Sequence, residues 1–463
     1  MAPVDNTLAY IDQGSFLGLR ALGRGPLMQF TWIYDRPVDI DGLRRFQRNL
    51  GRGLLGRRIE TSPLPFGRHR WVTSPGPADV AIAAAERSRE QVWDWADERV
   101  CVPIDPQWGP AWHIGVQPLI EGGAAVTMVA SHSVADALGM SLAIRDAVLD
   151  ETWDLGYPPA GSRSRRRALS EDARATMRAL PDAARAATAS IRIARAESGD
   201  VAMSIRTTGA KPTTADDHPV VAPTIAAYFD IDEWDRRADA LGGTSNSLFA
   251  GLAARLSQLV GRTDKGGRVN LSWPVSERTE GDTRANALTA VMVNVDPDMA
   301  PSNLSAIRAE MKSALSALDE TSKKLMAPLP LVPFTPRRLV RRLEMMVGSV
   351  GHPTGCSNLG DLHPAVNRPD GTDADHISFR LLEPQITTGI LDRMGGYVYL
   401  ASGRVHDQIF VTVGAWIVGS PNTKQSLRAV FERAIDDMKL SGIVERAASQ
   451  SASSDGPGAP RPR

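Results

Sequence analysis

The sequence predicts an α/β (α+β) protein made of two sheet-containing halves, and three observations carry that expectation. Strand and helix patterns recur in two sets, one on either side of an Ala- and Arg-rich stretch. Apolar runs are joined by tight glycine turns as well as by helices, so the sheets should be mixed rather than wound from βαβ units. No GxGxxG or GxxxxGK[ST] loop follows any strand, which gives a dinucleotide- or nucleotide-binding α/β fold no support.

Composition sets the outer limits. The chain has 463 residues, 42% hydrophobic and 23% charged, enough for sizeable cores in about two to four domains. Its 53 basic and 53 acidic residues cancel, so no whole-molecule field draws in nucleic acid, and the basic clusters carry no interleaved aromatics. Cys101 and Cys356 stand far apart with no CxxC pair, which fits a reducing compartment. With no HxH, HExxH or Cys/His cluster, no metal is expected. The first residues make a poor signal peptide, and no run nears the roughly 20 apolar residues of a membrane span. The expected location is cytoplasmic, with peripheral contact at a membrane or lipid surface left open.

Taken in order, "LMQFTWIYDR" (27–36) reads as a strand and "DIDGLRRFQRNLGRGL" as an amphipathic helix, with Ile40, Leu43, Phe46 and Leu50 on one face and Asp39 or Asp41 near its cap. "HRWVTS" is a strand. "PAWHIGVQPLIEGGAAVTMVAS" (110–131) is a hairpin turning at "EGG", and "ALGMSLAIRDAVLDETW" is a helix. Residues 1–160 form the first half on this reading. Residues 161–218 read as a linker with one or two exposed helices broken near Pro181. The second half, 219–447, opens with the strand "VVAPTIAAYFDID", the helix "EWDRRADALGG" and a buried helix in "TSNSLFAGLAARLSQLVGR". Strands follow in "RVNLSWPVSER" and "ALTAVMVNVDP", then one long helix in "NLSAIRAEMKSALSALDETSKKL". "HISFRLLEP", "GGYVYLASGRVHD" and "QIFVTVGAW" are strands, "KQSLRAVFERAIDDMKLSGIV" is the last helix, and 448–463 is a disordered tail.

His132 and Asp136 stand out, because they fall where the second hairpin strand ends and a helix begins. An imidazole can take a proton from a hydroxyl or amine near neutral pH. Asp136 could cap the helix, orient the imidazole, or pair with a distant Arg. The bare HxxxD spacing is a common coincidence and equally describes a histidine at an ordinary strand end.

The stretch Ser131-His132-Ser133-Val134-Ala135-Asp136-Ala137 resembles the HHxxxDG motif of the coenzyme A-dependent acyltransferase superfamily, which includes condensation domains and polyketide-associated acyltransferases. The second His and the Asp match; Ser replaces the first His and Ala the Gly. The resemblance is closest to the bacterial wax ester synthase/diacylglycerol acyltransferase family. Pro110 and Trp112 match its Pro-Leu-Trp segment, with Ala111 departing. Asn246 matches its Thr-x-Asn-Asp helix start, with Ser247 in place of Asp. Arg278 matches its Pro-Val-Ser-x-Arg strand and Asn286 the turn beyond it, while "CSNLGD" is similar to a loop after the long helix.

That resemblance implies two chloramphenicol acetyltransferase-like subdomains arranged in a V around a central tunnel. It makes His132 the general base of an acyl transfer that needs no acyl-enzyme, in keeping with the missing GxSxG elbow. It makes Asp136 structural, paired with Arg278 as first choice or Arg284 as second. Asn246 is either an oxyanion or substrate donor or a helix cap, and Ser131 and Ser133 are further hydrogen-bonding candidates. Ala137 for Gly matters where that position needs a positive φ or a close approach to substrate. Asn358 reads as a turn former.

The leading expectation is therefore an O-acyltransferase moving a long-chain acyl group from acyl-CoA, as co-substrate and with no resident cofactor, to an alcohol or acylglycerol. One alternative keeps the fold and takes its donor from an acyl carrier protein, as in condensation or polyketide-associated enzymes acting on a specialised metabolite. Another is a non-catalytic acyl- or metabolite-binding homologue. The segment "LMAPLPLVPFTPRRLVRRLEMMVGSV" and the cluster "SRSRRRAL" pair basic with apolar residues. They suit a membrane or lipid-droplet surface or the phosphates of a donor, or simply a solvated basic face.

Overall fold

The computed structural model describes residues 5–196, 217–347 and 353–445. At the centre of the first sheet lie β1 (Leu27–Tyr34) and β6 (Ala124–Ser131), buried along their whole length because both of their faces are covered. On one face of β1, Trp32 meets Phe46 of the helix Ile40–Leu50 edge to face. On the other, Gln29 donates to the carbonyl of Ala96 in the helix Val92–Val100, and Arg380 donates to Gln29 in turn. Both polar side chains are buried and hydrogen-bonded, Arg380 also pairing with Asp97.

The first sheet runs β12-β1-β6-β5-β4, with β4 (Ala81–Ile82) parallel to β5 (Trp112–Pro118) and the other pairs antiparallel. The hairpin expected around "EGG" joins β5 to β6, with Gly122 at φ +95° supplying the reversal. Its outer strand β12 (His376–Leu382) comes from the C-terminal half of the sequence. A small ribbon pairs β2 (Arg57–Glu60) with β3 (Arg70–Thr73).

The second sheet runs β10-β9-β11-β14-β15-β8-β16. Its strands are β8 (Thr224–Asp230), β9 (Val269–Ser276), β10 (Leu288–Val295), β11 (Thr354–Asp361), β14 (Tyr397–Val405), β15 (Gln408–Trp416) and β16 (Gly442–Val444). A separate core fills its covered face, where Leu248, Phe249 and Leu252 of the helix Ser245–Leu259 pack with Phe431 and Ile435 of the helix Lys424–Asp437. β7 (Pro219–Val220) and β13 (Ile386–Thr387) form a short ribbon beside β12.

Several elements differ from the sequence reading. "CSNLGD" is not a loop: it lies in β11, parallel to both β9 and β14. Among the described residues, the Ala/Arg-rich stretch forms the helix Arg165–Ala196, which continues through Pro181. The proline removes one ladder hydrogen bond, and the strong helix formers around it carry the turn. That helix is also anchored, since the buried Asp172 accepts from Ser62 and pairs with Arg70 and Arg163. The long helix read over 303–325 is two, Ser305–Ser316 and Leu318–Met326, and the break separates one that buries Ile307 and Met311 from one with no buried side chain. The final helix ends at Asp437, and "GIV" pairs with β8 as a strand. The helices Tyr10–Leu22 and Val92–Val100 were not anticipated; in the first, glycines weaken the local signal. The basic segment near 337 packs on that first helix, with Arg341 donating to the carbonyl of Ala21. Among the described residues no helix is long and apolar enough to cross a membrane. The expected tail lies outside the described residues.

Candidate active site

β6 ends at Ser131, and the chain turns through 132–134 before the helix Ala137–Val148 begins. Backbone contacts hold that turn at both sides. The N–H of His132 donates to the carbonyl of Pro26 at 3.1 Å, and its carbonyl accepts from Asn286 Nδ2 at 3.2 Å. Neither of these uses the imidazole, which is left half-buried on the wall of a cavity of about 260 Å³.

Asp136 does two of the three jobs open to it. As N-cap of the helix, its Oδ1 accepts from the N–H of Gly139 at 2.7 Å. Its Oδ2 accepts from Arg278 Nη2 and from the N–H of Ala287, both at 2.8 Å. Both side chains of the Asp136–Arg278 pair are 4% exposed. Arg278 also donates through its two Nη groups to the carbonyls of Asp282, Arg284 and Ala285, which spreads the buried charge over several acceptors. Arg284, the second-choice partner, pairs with Asp282 instead. Ala137 is the first helical residue and is not in the left-handed region, so this position does not call for glycine on backbone grounds.

The loop gripped by Asp136 and Arg278 has a second hold that sequence reasoning missed. Asp12, fully buried in the helix Tyr10–Leu22, accepts from the N–H groups of Ala285 and Asn286 at 2.9 and 2.7 Å, and from Asn286 Nδ2 at 3.1 Å. Burial pushes its carboxyl above the usual range, against the pull of those donors and of Arg57. Arg57, also fully buried, donates to the carbonyls of Val134 and Thr283 and lies over the Trp71 ring at 4.1 Å. Asp12 and Arg57 therefore tie the His132 turn to the 283–286 loop. Their partners in the 283–286 loop lie over 200 residues away, and no spacing within the sequence signals them.

The cavity sits between the two halves. Opposite His132, Ala137 and Leu138 it is lined by Ser272, Pro274 and Ser276 of β9, by Gly355 to Leu359 of β11, and by Tyr399 of β14, with Phe379 and Leu381 of β12 closing it. Cys356 is among these residues, but burial pushes its thiol far up, so it stays protonated and a poor nucleophile. The Tyr399 phenol is raised by burial as well and remains neutral.

Other candidates fall outside the cavity wall. Ser131 and Ser133 are buried inside the turn: Ser131 Oγ accepts from the N–H of Ser133, and Ser133 Oγ meets Ser15 Oγ at 3.2 Å. Both hydroxyls hold the turn from within. Asn246 is not the helix cap, because Thr244 and Ser247 form a capping box there, Ser247 doing what the usual Asp would. Asn246 is exposed, and its Oδ1 accepts from Asn358 Nδ2 at 2.6 Å. The amide on the cavity wall is thus Asn358, which the sequence placed in a turn, with Asn246 behind it. Asn358 Oδ1 also holds the N–H of Gly360 at a bulge in β11. His113 is a core residue: its Nδ1 accepts from Arg99, its Nε2–H reaches the Arg99 carbonyl, and burial followed by the Arg99 charge lowers its pKa to about 4.

No protein-family model matches the sequence, and no curated protein matches it. Solved structures do. The first condensation domain of the calcium-dependent antibiotic synthetase, in complex with a substrate analogue, is 15% identical, with 95% of this chain and 96% of that one covered at a TM-score of 0.56. Polyketide synthase associated protein 5 from Mycobacterium tuberculosis is 13% identical, with 94% and 98% covered at 0.51. A variant of the starter condensation domain of rhizomide synthetase is 14% identical, with 94% of each chain covered at 0.50. The likeness runs the length of both chains and concerns the fold. This protein has the condensation-domain, chloramphenicol acetyltransferase-like fold, with one sheet-rich subdomain on each side of the His132 cavity.

Proposed function

We propose that the protein transfers an acyl group from a thioester to a hydroxyl or amine acceptor, with His132 as general base. The observation that carries this reading is the His132 ring on the cavity wall between the halves, held only through its backbone while Asp136 is tied off elsewhere. The imidazole takes the acceptor's proton as its oxygen or nitrogen attacks the thioester carbonyl carbon. The tetrahedral intermediate then expels the thiolate, which receives that proton. Hydroxyls of Ser272, Ser276 and Ser357 line the cavity and supply donors for the developing oxyanion.

The donor can take two forms. A carrier-bound thioester is favoured by similarity to condensation domains, one crystallised with substrate analogues, and to a polyketide synthase associated protein. An acyl-CoA donor, with a wax ester or acylglycerol as product, rests on the sequence resemblance. Thiol release from carrier-loaded and coenzyme A donors, with mixed alcohols and amines, separates the two. Acceptor-dependent release should fall about 10²- to 10⁴-fold in His132→Ala without a change in melting temperature. Equal background release from wild type and variant with every donor would leave a binding protein that has lost the reaction.

A further inference from the structure

A second cavity adjoins the first. It measures about 150 Å³ and is walled by Val221, Ala222, Leu382, Ile386, Leu391 and Met394, under the β7–β13 ribbon and the helix Thr388–Arg393. Three features connect it to the candidate site. Leu381 and Tyr399 belong to the walls of both cavities. Pro26, also on its wall, is the residue whose carbonyl receives the His132 N–H. The ring of Tyr399 stands against Gly355, where a Cβ would come within 2.7 Å of it, so β11 has been left bare where the partition passes. Glu383 at the border is paired with Arg24, which keeps an unbalanced charge out of the apolar space.

From this juxtaposition we infer that the second cavity is the subsite for the apolar end of the transferred acyl group, and that it takes a compact group of about six carbons. The inference rests on the thioester-transfer reading of His132 and deepens it. Size sets the limit: a cavity of this volume lined by aliphatic side chains takes up one benzene. A straight long-chain acyl group does not fit within it. The subsite therefore selects medium-chain, branched or aromatic acyl groups over both acetyl and palmitoyl.

Binding of acetyl-, hexanoyl- and palmitoyl-pantetheine amides, measured by calorimetry, tests this without any transfer taking place. Burial of methylenes is worth roughly fourfold in affinity for each. Hexanoyl amide should therefore bind wild type at least about tenfold more tightly than acetyl amide, and palmitoyl amide no more tightly than hexanoyl. Ala222→Phe and Met394→Trp, which fill the space from different sides, should each bring hexanoyl affinity down to that of acetyl. Ala222 is buried, so a folding defect there leaves Met394→Trp, at a half-buried position, and the wild-type series to decide. The inference is overturned by affinities independent of chain length, by a palmitoyl amide that binds most tightly, or by unchanged discrimination in folded Met394→Trp. His132→Ala should keep the binding series intact. Loss of the series is then a failure of the subsite, whereas turnover that is unaffected by His132→Ala is a failure of the transferase reading.

Discussion

The two walls of the His132 cavity are fixed by unlike means. On the wall that carries His132, four buried charged side chains, Asp12, Arg57, Asp136 and Arg278, hold backbone atoms of 134–139 and 282–287, and none hydrogen-bonds the imidazole. On the facing wall, β9, β11 and β14 are fixed by their ladders and an apolar core, and they present small groups such as Ser272, Ser276, Ser357 and Gly355. Charge anchoring fixes one position rigidly and fails when a partner is removed. A strand wall tolerates a change of polarity but responds to volume. The first arrangement suits a group that must be placed for proton transfer, and the second suits a surface that selects what is bound.

The largest expected effect breaks the first wall. Asp136→Ala strands the Arg278 guanidinium in a site where both side chains are 4% exposed. The loss should be about 3–5 kcal/mol of unfolding free energy, read as a lower urea midpoint, with activity falling alongside. His132→Ala provides the contrast, because its ring makes no hydrogen bond or ion pair among the described residues: a comparable midpoint shift there would contradict the distinction between anchor and reagent.

A second effect separates the charge-anchored half from its own core. The half-buried His69 and the buried His113 each have a pKa lowered to about 4, mainly by loss of solvation. Unfolded histidine titrates near 6.5, so the unfolded chain binds protons first as pH falls. The stability these residues lend is complete above about pH 6.5 and is lost progressively as pH drops towards 4, at about 2–3 kcal/mol each. His113→Gln should flatten that acid limb in a plot of unfolding free energy against pH; an unchanged limb would remove His113 from the account.

The smallest effect sharpens the second wall. Gly355→Ala places a Cβ within 2.7 Å of Tyr399 Cδ2, and the ring has to shift. Overpacking of this kind costs about 1–3 kcal/mol. The change should show in KM and in donor preference more than in kcat, because His132 stands on the other wall. A uniform fall in kcat with KM unchanged would show the walls to be coupled.

What the sequence reveals follows the same division. His132 and Asp136 were legible because strand end, turn and helix cap are contiguous, and Arg278 because its motif resembles one whose Asp needs a buried cation. Asp12 and Arg57 were not, since a buried charge in "YIDQG" or "GRRIE" looks like any other until its partner loop, more than 200 residues on, is in place. The strand β11 was missed for a related reason. β11 pairs in parallel with strands far away on both sides, and parallel neighbours leave no turn between them to announce the pairing. Of the two roles open to Asn246 the cap falls to Thr244 and Ser247, because a helix start shows that something is capped but not which neighbour does the capping.

β12 carries a consequence for the chain as a whole. It is encoded well into the second half, yet it lies along β1 from Leu27 to Ile33. Opened between residues 196 and 217, the chain would give a first fragment whose β1 has a bare, apolar flank, a template for unwanted pairing. The second fragment would carry the strand that covers it. The two pieces are thus not modules to be exchanged singly, but halves of a clasp that can be reconstituted only together.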